Sequence, residues 1–118
     1  MARKSTHISV ELNGSKLELK SIKVFEQMSD ETLAFTAKAY FNGVYVGEAK
    51  NEGMGGASWI IGKWNKELFA FFKETQRYAA KYVAYGREYM INFDEDFLLS
   101  SMVDAAYYDG SKTFSLTD

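Results

Sequence analysis

Asn51-Glu52-Gly53-Met54-Gly55-Gly56-Ala57-Ser58 is the stretch whose residue types come nearest to chemistry. Glycines let backbone N–H groups turn toward phosphate oxygens, and a serine adds a hydroxyl donor. The stretch follows a predicted strand and leads toward a predicted helix, with Lys63 the next cation along the chain. Gly53, Gly55, Gly56, Ser58 and Lys63 therefore form a candidate site for a phosphate-bearing small molecule such as a nucleotide. Two sharper fingerprints fail. A G-x-G-x-x-G pattern from Gly53 needs glycine where Ser58 stands, and a parallel βαβ setting where the chain offers an antiparallel hairpin. A Walker A loop ending at Gly62-Lys63 needs glycine in place of Ala57 and a hydroxyl residue in place of Trp64. The competing reading is a tight reversal between sheet and helix, for which glycine supplies the positive φ.

Other chemistry is sparse. With no cysteine, thiolate zinc sites, iron–sulfur clusters, disulfides and cysteine nucleophiles are all excluded. His7 has no serine or carboxylate partner at a telling spacing, so no catalytic residue is assigned. Asp94, Glu95 and Asp96 follow no calcium-loop spacing, and their position at a predicted helix start suits the helix dipole. No metal and no cofactor is expected. Lys66, Lys73, Arg77 and Lys81 fall within about 80° on a helical wheel and would make a basic stripe. Glu67 and Glu74 flank it, and the net charge of −2 argues against nucleic acid. Aromatics make up 16% of the chain, more than one small core can absorb. Tyr40, Tyr45 and Phe69, with Lys73 and Arg77, are the candidate interface residues.

These residues need elements to hold them. Ile8, Val10 and Leu12, then Asn13-Gly14, then Leu17 and Leu19 read as a hairpin around a type I′ turn. Leu33, Phe35, Ala37, Ala39 and Phe41 meet Asn42-Gly43 and return through Val44 and Val46 on the same face, which sets Tyr40 opposite Tyr45. Ile22, Val24 and Phe25 extend a strand, and residues 27–32 read as a turn. From Ile61 the apolar spacing becomes helical through Trp64, Leu68, Phe71, Phe72, Thr75, Ala79, Tyr82 and Val83, predicting a long amphipathic helix over 61–85 that ends at Gly86. A second helix is predicted from Asp94 to Tyr108, ending at Asp109-Gly110, with a last short strand over 113–116. The expectation is one α+β domain over 1–118: an N-terminal antiparallel sheet of hairpins packed against the long helix and the C-terminal helix.

At 118 residues, 47% apolar and 25% charged, the chain has the length and composition of one globular domain. No apolar run reaches membrane-spanning length and the first residues lack an apolar signal core, so a cytoplasmic, membrane-free protein is expected. Charge is uneven: residues 92–118 hold six acids and one base.

Residues 29–37, Tyr40, Asn42-Gly43, Val46-Gly47 and the Asn51 to Gly56 run together resemble a recurrent segment of small phage and prophage accessory proteins, over about 30 of the 118 residues. The resemblance implies stoichiometric binding in a host cytoplasm, by blocking a host defence protein or sequestering a nucleotide signal. The leading expectation is a non-enzymatic interaction protein that counters a host function by binding a macromolecule, as a homo-oligomer. The alternative is a nucleotide sponge acting through the glycine loop.

Overall fold

The computed structural model describes residues 4–29 and 32–116; Asp30, Glu31, residues 1–3 and residues 117–118 lie outside the described residues. The fold is α+β. β1 (Ile8–Leu12) and β2 (Ser15–Val24) form the first hairpin, and β3 (Phe35–Phe41) and β4 (Val44–Asn51) the second. Both turn through Asn-Gly pairs with positive φ at each residue, 52° and 81° in the first and 51° and 83° in the second. That is the type I′ geometry whose twist matches the flanking strands. β5 (Trp59–Gly62) pairs with β4, and β8 (Thr113–Phe114) joins β1 in parallel, giving a six-stranded sheet ordered β5-β4-β3-β2-β1-β8.

One face of the sheet is apolar and the other polar. Ile8, Val10, Leu17, Leu19, Phe35, Ala37, Ala39, Phe41, Ala49 and Ile60 are buried inward, while Lys20 lies opposite Lys38, and Lys38 opposite Glu48, on the outer face. Ser21, at φ 53°, opens a bulge between Lys20 and Lys23 that turns Ile22 back into the core. Two helices cover the inner face: α1 (Lys66–Thr75), through Leu68, Phe71 and Phe72, and α2 (Glu95–Asp109), through Leu98, Leu99, Met102, Val103 and Ala106. Each such large side chain contributes about 1.5–3 kcal/mol by leaving water. Val44 departs from its expected place: a register shift beside Ala39 leaves it exposed and Val46 buried.

The single long helix is the main correction. Residues 61–85 hold the end of β5, α1 and β6 (Ala79–Ala84), which pairs with β7 (Arg87–Asn92) in a separate two-stranded sheet. Asn65 starts α1, its side chain accepting from the Leu68 N–H at 2.8 Å. At the other end the Thr75 hydroxyl lies 2.8 Å from both the Phe72 and the Phe93 carbonyl, its one proton shared between them, which fastens the last turn to the start of the α2 segment. Gly86 is no helix cap. It follows Tyr85 in the β6–β7 turn, where both residues have positive φ, 53° and 72°. The second helix forms as expected, with Asp94 as N-cap and Gly110 left-handed at its end. Among the described residues, no helix is long and apolar enough to cross a membrane.

Candidate functional site

The glycine loop is organised from one side chain. Buried Asn51 accepts from the Thr32 hydroxyl at 2.8 Å and the Gly53 N–H at 2.7 Å, and donates to the Gly56 carbonyl and the Ser58 hydroxyl at 3.0 Å each. These four bonds use both lone pairs and both N–H groups of the carboxamide. Ser58 is also buried; its hydroxyl meets that of Ser100 at 2.7 Å and its N–H donates to Asp96 Oδ1 at 2.7 Å. Gly53 needs to be glycine on two counts: φ is 83°, and a Cβ there would run into the Met28 carbonyl and Ala34.

As a phosphate cradle the constellation does not assemble. The Gly53 and Ser58 amides are already bonded within the protein, and a carboxylate stands beside Ser58. The loop opens into a strand, with no helix N-terminus behind it. Lys63 lies beyond the far end of β5, roughly 16 Å from Ser58 at the rise of a strand. The basic stripe is dispersed likewise: only Lys66 and Lys73 stay on α1. Arg77 follows the helix, 3.7 Å from Glu74, and Lys81 lies on β6, 3.8 Å from Glu88.

The adjacent acids have individual tasks. Asp94 caps α2, accepting from the Phe97 N–H at 2.8 Å. Glu95 accepts from the Ile60 N–H at 2.8 Å, and Asp96 from Ser58. Two outward N–H groups along the β5 edge are thus satisfied by carboxylates where a further strand would otherwise add. Burial raises the Glu95 carboxyl above its ordinary range, the Ile60 N–H opposes that, and neighbouring Asp94 and Asp96 add to it. His7, for which the sequence offered no partner, has its Nε2 3.0 Å from Glu18. The nearby Ser5 hydroxyl donates to the His7 carbonyl at 2.6 Å, away from the imidazole, so the three do not line up as a nucleophile, base and acid.

Tyr40 and Tyr45 pair across the β3–β4 turn as expected, edge to face at 5.5 Å, with Lys20 Nζ over the Tyr40 ring. Phe69 and Lys73 come together elsewhere. Between β5 and α1 lies an open groove of about 690 Å³, lined by Trp59, Ile60, Trp64, Phe69, Phe72 and Lys73, with Gln76 and Glu95 at its end. Trp64, expected on a helix, sits just before α1; its indole N–H donates to the Ile60 carbonyl at 3.1 Å, and its ring lies 4.7 Å from Phe69 and 5.3 Å from Phe72. Phe69 is 61% exposed, and its ring packs on that of Trp64. Comparison with protein-family models, with curated proteins and with solved structures gives no match to this chain. The groove's tryptophans carry no local signal: a helical wheel turns Trp64 into the core, and the helical spacing begins at Ile61, after Trp59.

A smaller cavity of about 350 Å³ lies between the β2–β3 connection and α2. Its serine and threonine hydroxyls are already committed: Ser29 to the Phe25 carbonyl, Thr32 to Asn51 and Ser100 to Ser58.

Proposed function

We propose that the chain is a non-enzymatic interaction protein that captures a protein partner through the groove between β5 and α1, as the small phage accessory proteins it resembles would capture a host protein. The observation that carries this reading is the groove itself: two tryptophans and Phe69 gathered between β5 and α1, with Lys73 and Glu95 at its margins. Tryptophan-lined apolar clefts with a polar rim are where binding energy concentrates, because large rings exchange water for contact at little entropy cost. The nucleotide alternative has less support, since two of the amides it would use, those of Gly53 and Ser58, already serve the loop.

The test uses the two tryptophans, both of which line the groove. A partner retained from bacterial lysate, once purified, should shift the intrinsic fluorescence of the wild type on titration. Phe69→Glu should weaken binding by about 10-fold or more, the effect of losing an aromatic anchor, and Tyr45→Glu should leave it intact. Equal binding by the Phe69 variant would remove the groove from the function. A fluorescence shift with nucleotides instead would restore the glycine-loop reading.

A further inference from the structure

The β6–β7 hairpin stands apart from the six-stranded sheet, and its two faces differ. One face begins with Ala80 and Ile91, half-buried at the base, and continues to the Tyr82–Tyr89 pair. The other carries Lys81 opposite Met90 and Val83 opposite Glu88, all four exposed, with Val83 at 63% and Met90 at 60%. Tyr85 at the tip is 98% exposed. A two-stranded hairpin without a covering layer is marginal in water, and two apolar side chains in its open face add to the cost.

We infer that this outward face is where two copies of the chain meet, about a two-fold axis. The four residues mark the corners of one patch, with Lys81 and Glu88 on one diagonal, 3.8 Å apart at Nζ and Oε1, and Val83 and Met90 on the other. A two-fold axis along the apolar diagonal exchanges the charged corners. It sets Lys81 on the partner's Glu88 and Glu88 on the partner's Lys81, while each Val83 and Met90 meets its own copy between the ion pairs. The patch is thus complementary to itself in charge and in apolar content, as a closed dimer requires. A partner of one charge sign would match only half of it. Four side chains and a tip tyrosine cover less than the ~800 Å² per partner of a stable interface, so the dimer is weak and forms at high micromolar protein. The inference goes beyond the proposed function, since the hairpin face and the groove are separate surfaces.

Light scattering across about 10 to 500 μM protein tests it, with circular dichroism to confirm folding. The wild type should pass from monomer to dimer over that range. Lys81→Glu makes both charged corners acidic and Glu88→Lys makes both basic, so each variant alone should dimerise at least about 10-fold more weakly. Their equimolar mixture should associate at least as well as wild type, an outcome that loss of the pair within one chain cannot produce. A monomeric wild type, single variants that dimerise normally, or a mixture no better than its components would each overturn the inference. Phe69→Glu should dimerise like wild type, so failure of the groove reading leaves this result distinguishable.

Discussion

Asn51 fixes the glycine loop with one side chain, and nothing local in the chain marks it for that role. Its four partners come from the β2–β3 connection and from the loop up to Ser58, just before β5, so its role exists only once those segments have met. Asn51→Ala strands the Thr32 hydroxyl and the Gly53 N–H, each costing about 1–3 kcal/mol if left unbonded, while the Ser58 hydroxyl keeps Ser100; a loss of about 3 kcal/mol is expected in urea unfolding. The glycines separate by geometry. Gly53→Ala forces a Cβ onto the Met28 carbonyl at positive φ and should cost as much or more, whereas a Cβ at Gly56 meets open space without positive φ, so Gly56→Ala should be neutral within about 0.5 kcal/mol. Equal costs at Gly53 and Gly56 would contradict the arrangement. A glycine-rich string therefore mixes a residue the fold demands with one it does not, and composition alone cannot sort them.

Between elements, the decisive contact is that of α2 with the β5 edge. Glu95 holds the Ile60 N–H while its carboxyl is raised above an ordinary value near 4.5, burial being the largest cause. An acid with a raised folded-state pKa holds its proton more tightly when folded. Its stabilising contribution is therefore complete below the ordinary carboxylate range and is lost as pH rises through the elevated value. Glu95→Gln keeps an acceptor for Ile60 and removes that loss, so the variant should gain on wild type between about pH 4 and pH 7. Solvent screening at this partly covered site keeps the gain below about 1 kcal/mol. A stability difference that stays flat across thermal melts at those pH values would clear Glu95 of the effect. The two Asn-Gly hairpins and α2 were legible because their signals are local: turn chemistry, strict alternation, a capping acid and a terminal glycine. The 61–85 region was not, because Leu68, Phe71, Phe72 and Thr75 truly lie on one helical face while Ala79, Tyr82 and Val83 continue that spacing by accident. The cue against it was Tyr85-Gly86 set between β-favouring residues, a turn signal weaker than Asn-Gly.

For the whole molecule, stability should be divided as the layers are. β2, β3 and β4 lie inside the six-stranded sheet with helices over their apolar face, whereas β6–β7 has exposed side chains along most of both strands. The hairpin is tied down at its base, where the Phe93 N–H donates to the Tyr78 carbonyl at 2.9 Å and Asn92 to the Gln76 carbonyl at 2.8 Å, and where Phe93 stacks on Phe97 at 4.8 Å. The Cα radius of gyration, 13.8 Å, is close to the about 13.5 Å expected for a compact chain of this length. The hairpin is therefore a short projection, and two copies meeting on it would bring their bodies close. Native-state hydrogen exchange reads this division directly. Amides of β3 should exchange only through global opening, with a free energy in the usual range of about 5–15 kcal/mol, and those of Lys81 to Met90 through a local opening several kcal/mol lower. Raising the protein concentration should slow exchange in the hairpin alone, because a dimer on its outward face adds the missing layer there and leaves the main sheet unchanged. Hairpin amides as protected as β3 in dilute protein would mean that the two sheets unfold as one unit.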